Sequence, residues 1–246
     1  MVDINKIYNE DCLEFMKRLP NKSINLIIAD PPYNIGCDGG DGWDTVENYL
    51  SIFEDWCKEW KRILTDKGLF YCYSSQQYHA DLEIILRKYF VIQNRLIWAY
   101  NNGQRTSNKS FSISYEPFFM ASKNKENDFI PVRDINNIQK GTRSKRQKNG
   151  TITITQPNPD GIKLTDVWSI SKLSGNMKET THPTEKPLIL GERMLKSINA
   201  DLVYIPFAGS GTEIKNCLTN KINYISTELN IDYIKNIIEP RISEFQ

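Results

Sequence analysis

Residues 23–29 read SINLIIA, an almost unbroken apolar run with β-branched residues, the pattern of a strand buried on both faces of a parallel sheet. The run stops at Asp30. Pro31 and Pro32 lock φ and lack N–H donors, so the chain must leave the sheet there and enter a rigid loop. Between Val46 and Leu64, Tyr49, Ile52, Phe53, Trp56, Trp60, Ile63 and Leu64 fall near helical spacing, predicting a helix that Lys67-Gly68 ends. Strands are predicted over 69–74, 91–100 and 115–122, with Pro117 pointing to an edge or a bulge in the last. Helices follow over 81–90 and 188–198. The C-terminal quarter reads as strand 201–205, a Gly-rich turn, helix 213–221, strand 222–229 and helix 231–242. Alternating strands and helices imply an α/β domain with a largely parallel sheet.

Residues 123–165 break this rhythm. They show little helical periodicity and include QKGTRSKRQKNGTITITQPNPDG, where Lys140, Arg143, Lys145, Arg146 and Lys148 cluster with no acid before Asp160. A lone charge run is most often a solvated loop. The other reading is a flexible basic insertion that tracks phosphates, with nearby Asn, Gln, Ser and Thr available to base edges.

The composition narrows the field. The 246 residues suit one large domain or one domain with an insertion. The net charge of +1 supplies no global field for nucleic acid or membrane, so any such contact must be local. Five scattered cysteines (12, 37, 57, 72 and 217), with no C-x-x-C pair and only two histidines, argue against a zinc site or a disulfide framework. They fit a reducing, cytoplasmic setting. No apolar run approaches a membrane span, and the N-terminus is not a signal peptide.

Three stretches carry chemistry. The first is Asp30-Pro31-Pro32-Tyr33, a carboxylate, a stiff backbone and a flat ring at a strand end. The second is Phe207-Ala208-Gly209-Ser210-Gly211-Thr212 between a strand and a helix. Glycines there let a ligand approach the backbone and meet helix N-terminal N–H groups, although a tight turn alone would also use small residues. Glu228 follows near the spacing at which an acid takes ribose hydroxyls, and the pair favours an adenosine-containing cofactor. The third is His182-Pro183-Thr184-Glu185-Lys186-Pro187, where His182 reads as a structural histidine in a stiff turn rather than a catalytic base. Thr184 and Lys186, at a helix start, are candidates to hold a carboxylate.

Together, D-P-P-Y, F-x-G-x-G-T and H-P-T-x-K-P resemble the amino-group DNA methyltransferases that use S-adenosylmethionine. D-P-P-Y precedes the cofactor motif with a variable region between, the permuted order of the β group. The resemblance covers nearly the whole chain, including GWDT at 42–45. It implies a Rossmann-like methyltransferase fold with a mostly parallel seven-stranded sheet. Residues 1–122 and 166–246 would form the catalytic and cofactor-binding domain, and 123–165 an inserted target-recognition region.

The resemblance implies methylation of adenine N6 in double-stranded DNA, on a base flipped out of the helix. The Asp30 side chain and the Pro31 carbonyl would accept the two amine hydrogens, Pro32 would stiffen the loop and Tyr33 would stack on the base. Asp11 and Cys12 would lie by the cofactor's adenine, and Phe207, Gly209, Ser210 and Gly211 would form its floor. Thr212 would sit by its carboxylate and Glu228 would hold its ribose. His182, Thr184, Lys186 and Asp30 would lie toward its methionine end. Asp11 also reads as the N-cap of the helix CLEFMKRL, and both roles can hold at once. No metal is implied, because the sulfonium is already an electrophile. Cytosine N4 is the alternative substrate, and a catalytically weak DNA-binding relative the alternative class. A homodimer and a cognate restriction endonuclease are partners the family admits. The chain departs from the family at Ile205, where relatives usually carry an Asp that meets the cofactor's ammonium; Asp30 is the nearest acid the motifs offer instead.

Overall fold

The computed structural model of the chain describes residues 2–36, 47–101, 108–137 and 141–245. Strand β1 (Lys6–Tyr8) leads to α1 (Cys12–Met16), β2 (Ile24–Ala29), α2 (Tyr49–Ile63), β3 (Leu64–Tyr73), α3 (His79–Tyr89), β4 (Val91–Ala99) and β5 (Tyr115–Ser122). Short strands β6 (Arg133–Asp134), β7 (Arg143–Arg146), β8 (Ile152–Thr155), β9 (Ile162–Lys163) and β10 (Val167–Ser169) follow. Then come α4 (Leu188–Leu195), β11 (Leu202–Ile205), α5 (Thr212–Thr219) and β12 (Asn223–Thr227). The last segment joins α6 (Ile231–Tyr233), a π-helical stretch (Ile234–Ile238) and α7 (Glu239–Ile242), in place of the single helix expected.

Eight strands form one sheet in the order β1-β12-β11-β2-β3-β5-β4-β10. Every neighbouring pair is parallel except those of β5, which runs antiparallel to both β3 and β4. The fold is therefore α/β with a mostly parallel sheet, but with eight strands rather than seven. The edge strands β1 and β10 have three residues each, too few for periodicity to reveal them. Pro117 lies in the interior strand β5, not at an edge. It is tolerated because β3 ends beside it: Tyr73↔Phe118 is the last β3–β5 pair, and the Pro117 carbonyl accepts from Ser74 N at 3.2 Å.

Alternation along β2 divides the core. Leu26 and Ile28 face one apolar cluster, shared with Leu190, Met194, Ile214 and Ile238 of α4, α5 and the π-helical stretch. Ile27 and Ala29 face the other, shared with Phe15, Phe53, Trp60 and Leu82 of α1, α2 and α3. Helices cover both faces, which is why β2 reads as a continuous apolar run.

The α2 helix stops at Ile63, ahead of the predicted stop at Lys67-Gly68. Leu64 is already extended, at ψ 142°, and pairs with Ile24. Gly68 is therefore a strand residue. A Cβ there would lie 2.6 Å from the Asn25 carbonyl oxygen and 2.7 Å from Thr65 Oγ1, beside the β2–β3 register shift. Gly68→Ala is expected to lower stability by about 1–3 kcal/mol, the usual cost of overpacking against backbone, as measured by urea unfolding.

Candidate active site

The site forms because β2 and β11 are parallel neighbours, with Leu26 opposite Val203 and Ile27 opposite Tyr204. The Asp30 loop and the glycine turn thus emerge side by side from the same sheet edge. The helix after β2 packs on one face and the helix after β11 on the other. The connections part between them, which is the geometry of a ligand crevice at a topological switch point.

Lys186 lies at the centre of the first half of the site. Its side chain is only 7% exposed, and Nζ donates to Asp30 Oδ2 at 2.7 Å and lies 3.5 Å from Glu116 Oε2. Tyr33 donates its hydroxyl to Asp30 Oδ1 at 2.9 Å, and Lys186 Nζ is 3.3 Å from that hydroxyl oxygen. Lys172 pairs with the other oxygen of Glu116 at 2.9 Å and sits over the Tyr100 ring, 4.2 Å from its centroid. Burial alone would push Lys186 down, but Asp30 and Glu116 carry its ammonium above the ordinary lysine range. Burial likewise opposes ionisation of Glu116, and Lys186 and Lys172 outweigh it, holding the carboxyl low. The Tyr33 hydroxyl is engaged with the Asp30 carboxylate.

The glycine turn forms the second half. Gly209 and Gly211 have φ of 50° and 74°, which L side chains rarely adopt. A Cβ on Gly211 would come within 2.9 Å of Ile238 Cγ2, so the π-helical stretch also packs against the turn. Glu228 accepts from Gly209 N at 2.8 Å and from Asn230 N at 2.9 Å. Burial raises its pKa and those N–H groups counter the rise. Phe207 meets the Trp56 ring edge-on, with centroids 5.0 Å apart.

His182 is buried beside Gly209, and its Nδ1 accepts from Thr184 N at 3.3 Å. Burial, with Lys186, Lys178 and Arg241 nearby, pushes it down to about 4. The ring meets Tyr233 edge-on, with centroids 4.7 Å apart. Thr212 Oγ1 donates to the Lys186 carbonyl at 3.2 Å and lies 2.9 Å from Ser210 Oγ, so the H-P-T-x-K-P turn and the glycine turn are joined directly.

Asp11 caps α1, accepting from Leu13 N at 2.9 Å and Glu14 N at 3.1 Å. Cys12 is buried, and burial pushes its thiol up. Both reach the same edge because β1 pairs with β12, and the Tyr8 carbonyl accepts from Glu228 N at 3.0 Å. The basic cluster lies apart, on the β7–β8 ribbon. Arg143 and Lys145 stand opposite Thr155 and Thr153, and Arg146 opposite Ile152; all three basic residues are exposed, as is Lys148. Lys140 and residues 42–45 lie outside the described residues. Ile205 is buried within the apolar cluster on the α5 side of the sheet.

Sequence reading missed Arg241, Glu116 and Lys172. Arg241 is buried. Nη1 donates to the Ser210 carbonyl and to Thr212 Oγ1, both at 2.9 Å, and Nη2 donates to Glu179 and Glu185, also at 2.9 Å. The Glu185 side chain is fully buried and accepts from Thr180 N at 3.0 Å. An Arg after a Pro near a chain end carries no local signal of such a role. Arg241→Ala is expected to cost about 3–5 kcal/mol in urea unfolding, because it strands the buried Glu185 carboxylate. The glycine turn would loosen with it.

A model of the N6/N4 methylase family, described as DNA methylase, matches residues 24–239. The chain is 31% identical over 242 residues to the DNA adenine methyltransferase YhdJ of Escherichia coli (strain K12), covering 93% of this chain and 80% of that protein. It is 28% identical over 249 residues to the type II methyltransferase M1.MboII of Moraxella bovis, covering 95% of each. The crystal structure of the M1.HpyAVI–SAM complex superposes with a TM-score of 0.65 at 22% identity, covering 96% of this chain and 98% of that one. With its Asp30 loop and glycine turn paired at one sheet edge, this chain belongs to the N6/N4 DNA methylase family and is an S-adenosylmethionine-dependent DNA methyltransferase.

Proposed function

We propose that the protein methylates the exocyclic N6 of adenine in double-stranded DNA, on a base flipped into the crevice, with the permuted motif order of the β group. The observation that carries this reading is Asp30, held at the end of β2 by Lys186 and Tyr33 beside the glycine turn. An exocyclic amine is a weak nucleophile because its lone pair is delocalised into the ring. Each Asp30 oxygen accepts one hydrogen bond from its own chain, which leaves lone pairs for an amine hydrogen. The Pro31 carbonyl, fixed between two rigid residues, takes the other hydrogen, and the nitrogen lone pair is freed. Tyr33, ring and hydroxyl together, lines the base side. Aspartate rather than serine at the head of the tetrapeptide, and the likeness to a DNA adenine methyltransferase, favour adenine over cytosine.

The residues fit S-adenosylmethionine. The positive-φ glycines leave the backbone open to it; Glu228 and the Asp11–Cys12 segment would hold the nucleoside end, and Thr184, Lys186 and Thr212 the methionine end. When bound, the cofactor supplies an activated methyl group. Residues 123–165 serve as the target-recognition region, and the basic β7 strand meets DNA phosphates.

Asp30→Ala should lower methyl transfer on the order of a hundredfold or more while the cofactor still binds. Labelled methyl transfer to DNA, followed by nucleoside digestion, reads both the rate and the product. N6-methyladenine is expected, and N4-methylcytosine would overturn the base assignment. Neutralising Arg143, Lys145 and Arg146 together should weaken DNA binding. It should also flatten its salt dependence by roughly one unit of log–log slope for each phosphate that is no longer neutralised, leaving cofactor affinity unchanged. An unaltered slope would return the ribbon to a solvated loop.

A further inference from the structure

Glu213 is the second residue of α5, immediately after the glycine turn, and it is 5% exposed. Its Oε1 has no hydrogen-bond partner, an uncommon condition for a buried carboxyl. The buried Tyr73 hydroxyl, at the end of β3, also lacks one. Both belong to the surroundings of Lys186: its Nζ lies 5.0 Å from the Tyr73 ring centroid, and Glu213 feels Asp30, Lys186 and Arg241 electrostatically.

Lys186 and Lys172 are matched by Asp30 and Glu116. Arg241 and Lys215 are matched by Glu185 and Glu179. Lys186 and Arg241, the cations that act on Glu213, are thus already engaged by other carboxylates, and on its own helix Glu213 acts on the Cys217 thiol. An ionised Glu213 would be a buried negative charge that its own N–H, Lys186 and Arg241 offset only in part. Burial, and Asp30 after it, push the carboxyl up to about 7. S-adenosylmethionine has a sulfonium and an ammonium against one carboxylate, so it brings a net positive charge to this edge of the sheet.

We propose that Glu213 is the charge-compensating carboxylate of the cofactor site: it holds a proton in the free protein and releases it to solvent when S-adenosylmethionine binds. The O–H bond of the carboxyl breaks, the proton passes to buffer, and the carboxylate remains opposite the cationic ligand. This rests on the glycine turn being the cofactor site. Because binding requires the ionised form, protons compete with the ligand. Affinity should rise with pH by up to about tenfold per unit until the free carboxyl ionises unaided near pH 7, and level off above it.

Calorimetric titration with S-adenosylmethionine at pH about 6.5, in two buffers of different ionisation heat, counts the protons. The wild-type protein should release up to one proton more than Glu213→Gln, whose pH profile keeps only what Glu228 and the ligand's own ammonium contribute. S-adenosylhomocysteine, which lacks the sulfonium charge, should displace less of that proton. Equal proton counts and parallel pH profiles for the two proteins overturn the proposal. Failure of the wild-type protein to bind at any pH overturns instead the reading of the glycine turn. Infrared difference spectra of the wild-type protein alone provide a second readout should the variant not fold. Loss of a protonated-carboxyl C=O band on adding the cofactor is expected, and its persistence refutes the assignment.

Discussion

The parallel pairing of β2 with β11 is the constraint on which the rest of the site depends. These strands are distant in the chain, yet Leu26 faces Val203 and Ile27 faces Tyr204. That register puts the end of β2, and so Asp30, level with the glycine turn. A slip of one residue would turn Leu26 and Ile28 from the α4–α5 cluster to the α1–α2 cluster and would invert the core. The same apolar interdigitation that stabilises the domain therefore also fixes the separation between the Asp30 loop and the glycine turn.

The crevice is then tied together by two buried cations. Lys186 connects the H-P-T-x-K-P turn to Asp30 and Glu116, and Arg241 connects the C-terminal helical segment to the glycine turn and to Glu185. Buried ion pairs are weak evidence for stability, since desolvation offsets much of the attraction. Their value here is positional. Each cation bonds to groups from separate parts of the chain, and the planar guanidinium of Arg241 can meet the Ser210 carbonyl and two carboxylates only in one arrangement. The acceptor role proposed for Asp30 needs that rigidity more than it needs added stability.

Much of this is legible in the chain because the relevant signals are local. The β2 run, its arrest at Asp30 and the two prolines mark a strand end without reference to anything distant. The glycines at 209 and 211 are needed at positive φ where the backbone turns into α5. The Asp11 cap spans only the few residues from Asp11 to Glu14. Local signals mislead where one residue type serves two purposes. Gly68 resembles a helix stop, but it lets β3 approach the Asn25 carbonyl. Pro117 resembles an edge marker, but it sits where the neighbouring strand has already ended.

The sequence by itself determined the α/β alternation, the Asp30 and glycine loops and the family, since each is written in a few consecutive residues. Tertiary structure alone decided that Lys186 holds Asp30, that Glu116 and Lys172 complete its charge balance, that Arg241 clamps the glycine turn, and that Glu213 is left with a buried, unpartnered oxygen. The physical reason is that charge compensation and desolvation depend on which side chains share a low-dielectric space. That sharing is set by a sheet order that brings residues 30, 116, 186 and 213 together, and no window of sequence contains all of them.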